Sequence, residues 1–253
     1  MRQIEYLSPA TEVNMSDGYF QIAGTDHFWV RRRFEVLQKL AGEVVSHAVE
    51  IAEVGCGHGL LQRQVEDTYG KPVTGFDLNV YGLKHNVSRI SRVCCYDIYQ
   101  RDEEFRGKFD LILLFDVLEH IPDEDSFVQA ILFHLAAGGA LVVSVPAGEW
   151  AYASYDRAAG HVRRYSIKSL RKAVERNHLE IKRWSYWGLP MLPTLVMRKL
   201  RAEKDDEDAR KAYAAGFDTR TKGLNETLAF LSRCELIPQR VAGTSVMTVL
   251  QRS

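Results

Sequence analysis

Residues 49–60, VEIAEVGCGHGL, decide the fold of this 253-residue chain. Val49, Ile51, Ala52 and Val54 have the apolar density of a buried strand, and Glu53 lies at its carboxyl end. Three glycines follow at alternate positions, Gly55, Gly57 and Gly59, with Cys56 and His58 between them. Leu60, Leu61, Val65 and Tyr69 then recur at helical spacing. Strand, glycine turn and helix in that order make a nucleotide site in an open α/β sheet. Glycine lets the backbone turn tightly and admits a ligand where a Cβ would otherwise stand.

The spacing narrows the ligand. A dinucleotide fingerprint reads G-x-G-x-x-G and lays its pyrophosphate on the helix N-terminus. Here the third glycine comes one residue early and an acid precedes the first. The Gly-Lys-Ser/Thr of a phosphate loop is absent. An acid at the loop mouth suits a cationic ligand and opposes a pyrophosphate. Glu53-x-Gly55-x-Gly57-x-Gly59 resembles the first motif of class I S-adenosylmethionine-dependent methyltransferases. The resemblance implies S-adenosylmethionine as cofactor, S-adenosylhomocysteine as product, and Cys56 with the three glycines at the cofactor.

The following strands extend it. Val73 to Phe76 reads as a second strand, and Asp77 stands at its end, 18 residues past Gly59. A nucleotide fold puts a carboxylate there to accept hydrogen bonds from ribose hydroxyls. Leu78 and Asn79 flank the same cleft. Arg92 to Tyr96 reads as a third strand, and the resemblance implies that Asp97 holds the adenine amine while Ile98 packs on the ring. Phe109 to Leu114 is apolar enough for a strand buried on both faces. It delivers Phe115-Asp116-Val117-Leu118-Glu119-His120-Ile121-Pro122 to the sheet edge. This stretch is similar to the fourth-strand motif of the ubiquinone-pathway O-methyltransferases, and Phe115 and Asp116 are expected at the cofactor. Ala140 to Val145 forms a fifth strand after a helix ended by Gly138-Gly139. Helical crossovers between strands force a parallel sheet.

Composition bounds the rest. Hydrophobic residues make up 46%, enough for a sizeable core without staples. Lysine plus arginine equals aspartate plus glutamate, 33 each, which argues against a dedicated nucleic-acid binder. Cys56, Cys94, Cys95 and Cys234 form no C-x-x-C pair and read as reduced core thiols of a cytoplasmic protein. With no apolar run behind a basic start, no signal peptide is expected, and no apolar run in the sequence is long enough to span a bilayer. Monomer and homodimer are both consistent with the sequence.

Outside the core, residues 1–23 show no clear period and suit an extended or loosely helical arm. Asp26 is the expected cap of a helix through Val30, Phe34, Leu37, Ala41 and Val44, with Arg31 to Arg33 as a solvated basic face. Related methyltransferases carry an aromatic N-terminal helix as a lid, which assigns Phe28 or Trp29 to ligand contact. Trp150 to Tyr165, WAYASYDRAAGHVRRY, follows the fifth strand without a period, and loops this long are usually functional. Ser166 caps a helix, Ile181 to Trp187 is a sixth strand, Met191 to Leu200 an apolar helix, Asn225 to Leu236 another, and Thr244 to Leu250 a last strand. Residues 201–222 are dense in charge and suit a mobile or solvated segment.

The whole predicts one domain: a helical arm or lid (1–45), a cofactor core (46–147), and a substrate side (148–253) with a cap insertion at about 188–222. The resemblance implies a Rossmann-like, doubly wound seven-stranded sheet, mostly parallel with an antiparallel last strand. The expected reaction is methyl transfer to a small molecule, at oxygen first and nitrogen or carbon next. A non-catalytic binding or regulatory subunit is the contrasting class. Proton acceptors on the substrate side are His120, His161 and Asp156, since histidine titrates in the right range; His58 faces cofactor or solvent. Trp29, Trp150, Arg163, Arg164 and Tyr165 are the substrate-binding candidates, the guanidinium forks fitting a carboxylate or phosphate. An ion pair of Arg163 or Arg164 with Asp156 or another acid is the plainer alternative. No resident metal is expected. The resemblance does associate an acid, an acid and a histidine at the spacing of Asp116, Glu119 and His120 with a divalent cation, the first acid here being the shorter Asp.

Overall fold

The computed structural model describes residues 3–10, 24–202 and 222–252. In chain order the elements are β1 (Glu5–Tyr6), α1 (Phe28–His47), β2 (Ile51–Val54), α2 (Leu60–Tyr69), β3 (Thr74–Asp77), α3 (Val80–Lys84), β4 (Val93–Cys95), β5 (Phe109–Phe115), α4 (Glu124–His134), β6 (Leu135–Pro146), α5 (Ser154–Ala158), α6 (Ile167–Glu175), β7 (Leu179–Trp187), α7 (Leu192–Ala202), α8 (Lys222–Ser232) and β8 (Ser245–Arg252). The strands form one sheet in the order β1-β4-β3-β2-β5-β6-β8-β7. β8 runs antiparallel to both of its neighbours and the other pairings are parallel. The expected α/β sheet with its antiparallel last strand is therefore present.

Alternation along the central strands builds a core on each face. Leu111, Leu113 and Phe115 of β5 pack with Val36, Leu37 and Leu40 of α1 and Leu61 and Val65 of α2. Ile112 and Leu114 face the other way, onto Phe127 and Ile131 of α4 and Leu170 and Val174 of α6. β2 is buried at all four positions because it lies between these layers. Strand order reverses around β2: β3 is on one side and β5 on the other. That reversal opens a crevice at the strands' carboxyl ends, where ligands bind in such sheets.

Several expectations change. The sheet has eight strands among the described residues, because Glu5 and Tyr6 of the arm add to the edge of β4. α1 is capped by His27, whose ring accepts from the Trp29 N–H, and Asp26 does not cap it. The basic run is no solvated face: Arg32 and Arg33 are buried. α4 ends at His134, and β6 already pairs at Leu135 with Phe109, so Gly138-Gly139 lies within the strand. Gly138, at φ 76°, falls where the register shifts between Phe109 and Leu111. The stretch after β6 holds a 3-10 turn at Glu149–Ala151 and α5, rather than an unbroken loop. α8 spans Lys222–Ser232 rather than 225–236. Cys234 is exposed, unlike the other three free thiols. Most of the charged segment at 201–222, together with residues 11–23 of the arm, lies outside the described residues.

Candidate active site

The glycine turn starts from β2. Gly55, Gly57 and Gly59 all have φ between 50° and 79°, in the left-handed region that favours glycine. A Cβ at Gly55 would also stand 2.3 Å from the Val117 side chain, so glycine 55 lets β2 and the end of β5 close together. Asp77 braces the turn from β3: its carboxylate accepts from the Gly57 N–H at 2.6 Å and the Asn79 N–H at 2.8 Å. Burial raises its pKa, and these backbone donors oppose the rise.

A cavity opens above this turn. Its wall includes Glu53, Gly55, Cys56, Gly57, His58, Asp77, Phe115 and Asp116 from the carboxyl edge of the sheet. The opposite side carries Phe28, Trp29 and Arg33 of α1 with Tyr155, Thr194 and Leu195. Glu53 is buried, and its Oε2 has no hydrogen-bond partner. Burial pushes its carboxyl up to about 8, the nearby Arg33 charge works against that, and Asp77 adds to it. Burial likewise pushes the Cys56 thiol up, leaving it a small apolar wall. Arg33 reaches across to Asp116, Nη1 to Oδ2 at 2.5 Å, with its guanidinium over the Phe115 ring.

Beyond Asp116 the chain makes a 3-10 turn, Leu118–His120, which sets Glu119 and His120 on the same wall. Glu119 is fully buried with both carboxyl oxygens unpartnered. Burial above all, with the Asp116 charge, holds its carboxyl well above the ordinary range. His161 comes from the stretch after β6, its Nε2 4.0 Å from Glu119 Oε1. Its Nδ1 lies 3.0 Å from Asp156 Oδ1, and Asp156 also accepts from Arg164 Nε at 2.7 Å. Burial opposes the charge of Asp156, but the His161 hydrogen bond and Arg164 outweigh it and hold the carboxyl below its usual value. His120 stands against His161 with ring centroids 4.8 Å apart, its Nδ1 on the Gly160 carbonyl at 3.1 Å. Burial and the His161 charge lower it to about 4, so His120 is neutral at physiological pH.

The structure thus brings Trp29, Glu53, Gly55, Cys56, Gly57, Asp77, Phe115, Asp116, His120, His161 and Arg164 onto one cavity. Asp156 sits directly behind His161. Gly59 caps α2 below the wall. Leu78 and Asp97 stand at neighbouring strand ends, Asp97 accepting from the Tyr99 N–H, and Ile98 is in the core. Arg163 pairs with Glu124 at 3.0 Å and donates to the Pro122 carbonyl, outside the cavity. Tyr165 is buried, its hydroxyl donating to Glu124 at 2.6 Å. Trp150 is largely exposed, and Lys199 donates to its carbonyl. Of the two arginines, then, Arg164 is both on the cavity and paired with Asp156, the plainer role anticipated for it.

Sequence reasoning missed Arg33, Tyr155, Thr194 and Leu195. Arg33 had a signal: it lies three residues past Val30 and four before Leu37, on the buried stripe of α1. Thr194 and Leu195 had none, because only the fold brings α7 to this edge.

A family profile described as "Methyltransferase domain" matches residues 9–183. A ubiquinone biosynthesis O-methyltransferase of Marinobacter nauticus is 33% identical over 100 residues, which cover 36% of this chain and 42% of that one. The chain spans less than half the length of the curated relatives it matches. A solved SAM-dependent methyltransferase from Archaeoglobus fulgidus superposes with a TM-score of 0.56 at 13% identity, covering 89% of this chain and 96% of that one. The cyclase SpnF superposes equally well, 0.56 at 17% identity, over 88% and 82% of the two chains. Likeness at such identities shows a shared fold.

Proposed function

Because this chain belongs to the methyltransferase-domain family, we propose that it transfers a methyl group from S-adenosylmethionine to an oxygen of a small-molecule acceptor in the cytoplasm. One observation carries the reading: the glycine turn with Glu53 and the cluster of Glu119, His120 and His161 share a single cavity. The first suits the cofactor, the second suits a nucleophile that must lose a proton. The O-methyltransferase relative supports oxygen as the acceptor atom.

The residues fit the cofactor. The unpartnered Glu53 oxygen suits the ammonium of its methionine half, and the Arg33 guanidinium suits the carboxylate. Asp77, on the cavity wall, suits the ribose hydroxyls, whereas Asp97 and Ile98, which the resemblance assigns to the adenine, follow the next strand end without lining that cavity. When bound, S-adenosylmethionine would supply a sulfonium methyl for in-line attack by an acceptor oxygen, the O–C bond forming as the C–S electron pair departs on sulfur. The chain's work is to position that approach and exclude water. His161 accepts the hydroxyl proton at Nε2, while Asp156 holds Nδ1–H and so sets the tautomer. Phe28, Trp29 and Tyr155 close the acceptor side.

Calorimetry on the purified chain tests the first half: S-adenosylmethionine and S-adenosylhomocysteine are expected to bind with micromolar affinity, and no binding sinks the reading. Radiolabelled methyl transfer to a panel of hydroxylated and amino compounds tests the second. Label appearing only on nitrogen would displace oxygen as the acceptor.

A further inference from the structure

We propose that the N-terminal strand β1 completes the adenine end of the cofactor cleft, with Ser8 as the positioning residue that fixes Asp97 there. The inference rests on the S-adenosylmethionine reading and on the expectation that Asp97 holds the adenine amine.

The geometry starts from β3. Asp77 pairs in register with Cys95 of β4, and its carbonyl accepts from the Tyr96 N–H at 3.2 Å. Asp97 thus follows the strand end next to the proposed ribose carboxylate, on the side where the base of a nucleoside would lie. Its backbone N–H donates to the Ser8 Oγ at 2.7 Å. Its Oδ1 accepts from the Tyr99 N–H at 2.9 Å, so Oδ2 is the oxygen left for an amine.

Ser8 is itself firmly held. It is buried, and its N–H and the Leu7 N–H both donate to the Cys95 carbonyl, at 3.0 and 2.9 Å. Glu5 forms a two-pronged pair with Arg92, Nε to Oε1 at 2.8 Å and Nη2 to Oε2 at 2.6 Å, which fixes direction as well as charge. Ile4 packs against the cluster of Cys56, Leu83 and Cys95, and Leu7 against the one that holds Tyr96 and Ile98. The strand therefore grips both faces of the sheet edge, one beside the glycine turn and the other beside Ile98.

An edge strand has a plainer use, covering the open backbone groups of β4. Pairing of Glu5 with Cys94 and of Tyr6 with Cys95 already does that. It does not call for a buried hydroxyl aimed past the last β4 residue, Cys95, at the Asp97 N–H. With that hydroxyl in place the backbone of Asp97 is set before ligand arrives, so less ordering cost is left for binding.

Calorimetry on the full chain compares S-adenosylhomocysteine with S-inosylhomocysteine, in which a carbonyl oxygen replaces the adenine amine. The parent chain should prefer the adenosyl ligand at least about 10-fold, because a carboxylate accepts from the amine and repels the oxygen. Ser8→Ala removes one hydrogen bond to the Asp97 backbone. It should weaken S-adenosylhomocysteine about 3- to 10-fold and S-inosylhomocysteine less than about twofold, so the preference narrows. Ser8→Thr keeps the hydroxyl and should restore the preference. In an Asp97→Ala background, Ser8→Ala should cost nothing further. Circular dichroism establishes that each variant is folded. Should Ser8→Ala not fold, Glu5→Ala, which frees the same strand from Arg92, takes its place with the same narrowing expected. A folded variant that keeps the parent's preference overturns the inference. So does one that loses both ligands equally, which is what a general loosening of the sheet edge would produce. A parent chain that binds the two ligands alike overturns it too, and leaves the cofactor reading standing. Binding of neither ligand by the parent sinks both.

Discussion

Asp116 has φ +54°, and left-handed backbone at a non-glycine residue is costly enough to need a compensating contact. Here the Arg33 ion pair and the bond from the Asp116 N–H to the Ser144 carbonyl, 2.8 Å, supply it. Glu53 is a second residue held against its ordinary preference. Its folded pKa, about 8, lies above the 4.5 of an unperturbed glutamate. The folded chain therefore keeps an extra proton between those values, and ligand-free stability falls as pH rises through that window. Glu53→Gln should flatten the slope, read from urea midpoints between pH 5 and 8. Binding an ammonium favours the carboxylate, so cofactor binding near pH 6.5 should release close to one proton, and affinity should climb toward pH 8 and fall above it as the ligand's own amine loses its proton. Calorimetry in buffers of different ionisation enthalpy reads that release; identical heats in both would remove Glu53 from the ammonium. Asp77→Ala removes an acceptor of a charge-assisted hydrogen bond worth about 1.5–3 kcal/mol, so cofactor affinity should drop at least about 10- to 150-fold. Unchanged affinity would take Asp77 out of the site.

At the scale of elements, α1 does more than line the cavity. Its Arg32 side chain is 2% exposed and pairs with Glu235, 1% exposed, at 3.1 Å. Glu235 in turn accepts from the Gly188 and Leu189 N–H groups at 2.8 and 2.9 Å. One buried ion pair thus ties together α1, the turn into α7 and the segment after α8. Arg32→Met should cost about 3–5 kcal/mol by stranding a buried carboxylate, whereas removing both charges should cost much less. A urea-unfolding double-mutant cycle reads the difference, and additive losses would mean no such coupling. The same helix shows where sequence reading stops. Val30, Phe34, Leu37 and Ala41 marked its buried face correctly. Arg32 shares a stripe with Phe28 and Val36, but an arginine reads as solvated until its acid is known, and Glu235 lies 203 residues away. The end of α4 was misplaced for a related reason. Glycines usually end helices, yet pairing of Leu135 with Phe109 decided the boundary.

For the whole molecule, the legible part was the one coded locally. Strand, glycine turn and helix are contiguous, so Glu53, Gly55, Gly57 and Asp77 could be placed from spacing alone. The rest of the cavity wall is assembled from α1, the turn after β5, the stretch after β6 and α7, and Thr194 and Leu195 join it only through topology. Fold alone does not fix the reaction, since a cyclase shares it. That dispersed construction has a consequence for unfolding. A ligand that touches Glu53, Asp77 and Arg33 at once bridges β2, β3 and α1, so its binding energy should be felt by the single sheet and its packed helices together. At 100 times its dissociation constant, S-adenosylhomocysteine should add about 2.7 kcal/mol. For a chain of this size that raises the melting midpoint by roughly 5–10 °C. Differential scanning calorimetry should show one transition moving as a whole. A split transition, with one part unmoved by ligand, would mean that the acceptor-side elements fold apart from the cofactor core. His161→Ala sharpens the division of labour. It should leave this ligand-induced shift in place while reducing methyl transfer about 10²- to 10⁴-fold, because the role proposed for His161 is on the acceptor's proton whereas the shift reports the cofactor. Equal loss of both would place His161 at the cofactor instead.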